Sequence, residues 1–99
     1  METLGDKQRR FARMFALLLH WFHAHGYEVT FPPENLPHKK NSLHFLGLAK
    51  DVNLFIGGRY MKTTEAHRPS GEFWESLGGT WGGRFDDGNH YSLEHNGVK

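Results

Sequence analysis

Apolar residues recur at steps of three and four near the start of the chain. Phe11, Phe15, Leu18 and Phe22 form a stripe that Met14, Leu19 and Trp21 widen. That period predicts one amphipathic helix over residues 6–25, with Asp6 as its N-cap and Gly26 as its stop. The period then shortens to two. In "YEVTF", Tyr27, Val29 and Phe31 lie on one side of a predicted strand. Pro32 and Pro33 end it, and "PPENLPHKKN" reads as a polar loop. From Ala49 a second strand is expected. Val52, Leu54 and Ile56 would face one way, and Ala49, Asp51 and Asn53 the other. Gly57 and Gly58 predict a hairpin turn into "RYM". "PSGEFWESLGG" predicts a short helix with Ser70 as N-cap and Gly78 or Gly79 as stop. "DDGN" is a turn, and "HYSLE" a final strand. This order predicts an α+β fold: one small domain over residues 1–99, an antiparallel sheet with flanking helices.

Composition narrows the function. The 99 residues suffice for one modest core and not for two. With 37% hydrophobic residues and a mean hydropathy of −0.65 the chain reads as globular, and a 14% aromatic share fills a small core efficiently. A net charge of +1 is too small for nucleic-acid binding by phosphate neutralisation. Lys7, Arg9, Arg10 and Arg13 spread over an exposed helix face, which reads as solvated surface, with contact to an anionic surface as the alternative. "FALLLHWF" is too short to span a bilayer, and "METLGDKQRR" does not read as a secretory signal. The expectation is synthesis in the cytoplasm, with action elsewhere only after release.

Without cysteine, any metal site draws on His, Asp or Glu. There are eight histidines, so spacing has to sort them. His20 and His23 stand three apart without an acidic partner nearby and read as surface or half-buried residues. His25, His67 and His95 receive no role. In "NSLHFLGLAKD", His44 in a loop and Asp51 on a strand converge if the chain bends at Gly47, with Ala49 leaving room. They also fit an ordinary surface His and a strand-edge Asp. In "DDGNH", Asp87 and His90 flank a turn that aims both at one centre, one as ligand and one as base, although Asp, Gly and Asn are also simply turn residues. Together the two stretches, with "WGGRF" just upstream, make a mononuclear metal site. Trp81 either walls a cleft or packs under the glycine turn. Arg84 either meets a substrate carboxylate or pairs with Asp86. Phe73 and Trp74 read as core, Glu72 and Glu75 as solvated helix positions.

"SLHFLGLAKD" fits Ser-x-His-x-x-Gly-x-Ala-x-Asp, and "DGNH" fits acidic-x-x-His. With these the chain resembles the zinc peptidases of peptidoglycan: D-alanyl-D-alanine carboxypeptidases and dipeptidases, and phage L-alanyl-D-glutamate endopeptidases. "DKQRRFARMFALLLHWFHAHGYEVTF", "SLHFLGLAKDVNLFIGGRY" and "GEFWESLGGTWGGRFDDGNHYSLEHNG" are similar, in the same order, to the phage endolysin branch. The resemblance implies one Zn2+ held by His44, Asp51 and His90, Asp87 as general base, and Ser42 as a hydrogen-bonding support. It implies a monomer that hydrolyses bacterial peptidoglycan peptides, with no nucleic-acid or membrane partner. The expected bond is L-alanyl-D-glutamate, with D-alanyl-D-alanine as the alternative. One departure stands out. In the family the segment before Ser-x-His is usually longer and carries an arginine for the substrate or oxyanion. Here "PPENLPHKKN" has none, leaving Lys39, Lys40 or His38 as substitutes, and lysine lacks the planar fork that matches a carboxylate. A zinc-bound, inactive wall-peptide binder is the rival this departure raises.

Overall fold

In the computed structural model, which describes residues 1–33 and 42–99, the first helix (α1) spans Leu4–Ala24. It begins two residues before the predicted start. Thr3 is the N-cap: its hydroxyl accepts from the Asp6 amide and the Asp6 carboxylate accepts from the Thr3 amide, each at 3.0 Å. Asp6 is therefore the reciprocal partner of a capping box and not the cap itself. Phe11, Met14, Phe15, Leu18 and Phe22 are its buried stripe, as the period predicts. Beyond the C-cap His25, Gly26 sits at a φ of 80°, a backbone conformation that glycine adopts without strain.

Among the described residues six short strands follow, all paired antiparallel. β1 (Tyr27–Thr30), β3 (Asn53–Ile56) and β4 (Arg59–Met61) form one sheet in the order β1-β3-β4. β2 (Ala49–Asp51), β6 (His90–Ser92) and β5 (Thr80–Trp81) form another, in the order β2-β6-β5. The α+β class holds, but the strands divide between two sheets. The division falls inside the run expected as one strand from Ala49. Val52 is fully buried and gives its amide to the Asn89 carbonyl at 2.9 Å, so the chain leaves one sheet and enters the other there. Val52 and Leu54 are both buried, but Ile56, at 41% exposed, is at the solvent end of β3. Gly57 and Gly58, both at positive φ, make the predicted hairpin turn from β3 to β4.

The second helix (α2) spans Arg68–Ser76 and follows a 3₁₀ turn at Glu65–His67 that the sequence pattern does not reveal. Ser70 is not its cap. Its hydroxyl lies inside the helix and donates to the His67 carbonyl at 2.9 Å. Gly78, at a φ of 98°, and Gly79 close the helix end as expected. α2 presses Trp74 into the centre of the core. Trp74 meets Phe11 edge-on at 5.6 Å and Tyr91 at 6.1 Å, and gives its indole N–H to the Ser92 carbonyl at 3.0 Å. A buried indole needs such an acceptor, because an unpaired donor in apolar surroundings is costly.

Two of these contacts generate measurable consequences. Gly71 lies in α2, directly against the ring of Trp81, and a methyl group there would overlap the indole. Glycine to alanine in a helix ordinarily stabilises by about 1 kcal/mol. Trp81 is fully buried and cannot move aside, so Gly71→Ala is expected to destabilise by roughly 1–3 kcal/mol instead. A raised melting temperature for this variant would contradict the packing.

His67, only 3% exposed, bonds the Tyr91 hydroxyl through Nδ1 at 2.8 Å, and the same hydroxyl meets Ser70 at 2.8 Å. Burial pushes the His67 imidazole down from its usual value to about 4, and it raises the Tyr91 phenol above its ordinary range. His67 is thus neutral in the folded chain, while in the unfolded chain it takes up a proton near pH 6.5. Stability from this residue is present above pH 6.5 and is lost as pH falls toward 4. Melting temperatures of wild type and His67→Gln are expected to diverge least at pH 5 and most at pH 7.5. Parallel curves across that range would mean the imidazole is not buried in its neutral form.

Candidate metal centre

The site is assembled from two strands and two turns. β2 pairs with β6 so that Asp51 lies directly opposite His90. His44 sits on a tight turn over residues 43–47. That turn is held by its own backbone: Leu46 donates to Ser42, Gly47 to His44, and Leu48 to Leu43, at 3.0, 3.2 and 2.8 Å. Gly47 occupies a φ of 72°, so the bend expected at this glycine is present. Ser42 contributes its hydroxyl, which accepts from the His44 amide at 3.2 Å. Gln8 of α1 reaches across and donates to the Leu46 carbonyl at 2.7 Å, tying the turn to the helix. Gln8 lies on the polar side of α1, and nothing in the sequence marks it.

The second turn carries Asp87. A 3₁₀ turn at Gly82–Phe85 ends at Asp86, which takes a left-handed conformation at a φ of 60°. Asp87 donates to the Gly82 carbonyl at 2.9 Å, and His90 donates to the Asp87 carbonyl at 3.1 Å. Gly82 has to be glycine: a Cβ there would strike the Asp87 carbonyl and come within 2.7 Å of the His90 Cβ. Gly82, ahead of "DDGNH", is therefore part of the site's geometry, which no motif in the sequence marks. Phe85, half exposed, lies 5.9 Å from the His90 ring.

His44 Nε2 stands 3.5 Å from Asp51 Oδ1, and His90 Nδ1 stands 3.4 Å from the same oxygen. Nitrogen and oxygen ligands at about 2.0–2.2 Å from a tetrahedral zinc lie about 3.4 Å from one another. One ligand atom from each of the three residues falls within 4.8 Å of the other two. Two imidazoles and a carboxylate also match the donor types zinc accepts. The residues fit a single metal ion, and among the described residues this is the one such group. Asp87 stands just outside it, its Oδ2 3.9 Å from His90 Nδ1 and its side chain 52% exposed.

Other expectations change. Trp81 is fully buried, packed against Gly71 and Gly83, with its indole N–H on the Gly88 carbonyl at 2.8 Å. It offers no surface to a substrate; of the two readings, packing under the glycine turn is correct. Arg84 pairs with neither a cleft nor Asp86. Its guanidinium grips Glu75 at 2.9 and 2.8 Å and lies over the Trp81 ring. This pairing draws the Glu75 carboxyl below its usual range, so Glu75 is not merely solvated. Glu72 lies near Arg68 at 3.9 Å on the open side of α2. His20, His23, His25 and His95 stay outside the centre; His25 stacks on Trp21 and His95 meets Lys7. His38, Lys39 and Lys40 lie outside the described residues.

No helix among the described residues is long and apolar enough to cross a membrane. Nothing among curated proteins matches the chain. No solved structure matches it either. A family model described as D-alanyl-D-alanine carboxypeptidase matches residues 37–93, more than half of the chain and all of the turns and strands that carry His44, Asp51, Asp87 and His90. The chain belongs to that family.

Proposed function

We propose that the chain is a zinc-dependent peptidase of peptidoglycan stem peptides that cuts the L-alanyl-D-glutamate bond in the manner of phage endolysins. The observation that carries the reading is the donor set of His44, Asp51 and His90, with both imidazoles at ligand spacing from one Asp51 oxygen, and with Asp87 beside it and not in it. Zinc, when bound there, supplies Lewis acidity, lowering the pKa of its water toward about 7 and polarising a carbonyl. The chain's own residues do the rest. His44 presents nitrogen from a turn and His90 from the start of β6, both fixed by backbone hydrogen bonds, so little reorganisation accompanies binding. Asp87 takes a proton from the attacking water as the water oxygen adds to the carbonyl carbon. When the C–N bond breaks, Asp87 passes that proton to the leaving amine, and its carboxylate is regenerated. Ser42 keeps the His44 turn in shape.

A second reading, hydrolysis of D-alanyl-D-alanine, is supported by the family description itself. The absence of an arginine from residues 32–41 supports slow turnover or binding alone in either case. The protein would work as a monomer at the cell wall after release from the cytoplasm. Digestion of purified peptidoglycan with mass analysis of the products separates the readings. New N-terminal D-glutamate supports the first, released D-alanine the second, and an unchanged digest leaves a binder.

Purified protein is expected to hold one zinc per chain. Alanine at His44 or His90 should remove the metal and the stability that accompanies it, about 2.7 kcal/mol when zinc is at 100 times its dissociation constant, read as a lower melting temperature. Zinc content equal to wild type in the double alanine variant would eliminate the site. Asp87→Asn is nearly isosteric and cannot accept a proton. It is expected to keep zinc and to lose about a hundredfold to ten-thousandfold in rate. Loss of zinc with hydrolysis preserved after reconstitution would exchange the roles of Asp87 and Asp51.

A further inference from the structure

Asp87 borders a second feature besides the metal centre. Between the segment that follows β4 and the turn over residues 86–89 lies a cavity of about 220 Å³. Its walls include Lys62, Thr63, Thr64, Asp86, Asp87 and Asn89. The volume is below the roughly 300–1,000 Å³ of sites for drug-sized ligands, and suits a single amino-acid residue. Its walls are fixed to each other. A Cβ on Gly88 would come within 2.6 Å of the Thr64 Cα, so the two segments touch backbone to backbone. Thr63 opens the 3₁₀ turn by accepting from the Ala66 amide at 3.1 Å.

Tyr60 and His67 also line this cavity, and its charged groups are of both signs. Asp86 and Asp87 supply negative charge. Lys62 supplies an ammonium that has no ion pair among the described residues, and Thr63, Thr64 and Asn89 supply hydroxyl and amide groups. A ligand carrying an amine at one end and a carboxylate at the other matches that division. Peptide hydrolysis produces such a group. The residue that loses its acyl partner gains a free amine, and the group next to the proton-carrying carboxylate is that amine. In an L-alanyl-D-glutamate bond the leaving residue is a D-glutamate linked onward through its γ-carboxyl, so its α-carboxylate is free. In a D-alanyl-D-alanine bond the leaving D-alanine carries a free terminal carboxylate.

We infer that this cavity holds the residue whose amine leaves, with that nitrogen at Asp87 and the α-carboxylate at Lys62, Thr63 and Asn89. The assignment rests on the peptidase reading and adds to it the substrate feature that is recognised: a free carboxylate on the leaving side of the bond. Lys62 is exposed just beyond β4, so its replacement leaves the core intact.

The test uses the zinc-loaded, isotope-labelled chain titrated with D-alanine and with D-alaninamide, followed through backbone amide signals. D-alanine is expected to shift the signals of Lys62, Thr63, Thr64 and Asn89, and D-alaninamide to bind at least tenfold more weakly. Lys62→Met should erase that preference and Lys62→Arg should keep it. An equal response to both compounds, a preference that survives in Lys62→Met, or shifts confined to the metal ligands would overturn the assignment. Zinc content and peptidoglycan digestion by the wild type report on the peptidase reading separately. A chain that digests wall peptides without a carboxylate preference at Lys62 refutes the cavity alone. A carboxylate preference in a chain without turnover refutes the peptidase and leaves the cavity as an amino-acid site.

Discussion

The register of β2 on β6 is the constraint from which the rest of the site follows. It sets Asp51 opposite His90, and the backbone ladder between the strands fixes how far apart the carboxylate and the imidazole stand. A slip of one residue would turn one of the two side chains to the other face and leave no cluster. The register is secured at each end. Leu93 donates to the Leu48 carbonyl at 2.9 Å on one side of the pair, and Val52 donates to the Asn89 carbonyl at 2.9 Å on the other. Because Leu48, Val52 and Leu93 are all buried, slipping the strands would also expose core.

The core and the site are therefore one construction. β6 is wholly buried, with Tyr91 facing Phe22 and Trp74 and bonded to His67 and Ser70. The indoles of Trp74 and Trp81 each spend their N–H on a backbone carbonyl of this region, Ser92 and Gly88 respectively. Rigid aromatic groups thus brace the strand and turn that carry His90 and Asp87. The turn with His44 is braced independently, through Gln8 and through its own hydrogen bonds. Such support suits a metal centre, since ligands held in place before binding lose little entropy when the ion arrives.

Much of this was legible in the sequence, and what was not has physical causes. The stripe of Phe11, Phe15, Leu18 and Phe22 announces α1 because burial of one face imposes its period. The glycine pair at 57–58 announces its hairpin because few other residues tolerate two positive φ values. The motif residues His44, Asp51 and His90 do converge. The break at Val52 was hidden because a buried valine suits a strand and a crossing between sheets equally well. Trp81 was ambiguous because only the surrounding glycines, brought in from α2 and the 3₁₀ turn, show that it is enclosed. Arg84 finds Glu75 nine positions back, a pairing that depends on how α2 docks and not on local sequence. The 3₁₀ turn before α2 leaves no periodic signal at three residues long.

The central claim is that two imidazoles and one carboxylate of this chain hold a single zinc ion. X-ray absorption at the zinc edge of the purified, zinc-loaded protein measures that directly. The account predicts a low-coordinate shell of nitrogen and oxygen at about 2.0–2.2 Å, with the outer-ring scattering of two imidazoles, and loss of that protein-bound signal in His44→Ala. A six-oxygen shell without imidazole scattering, or two imidazoles retained in His44→Ala, would contradict it.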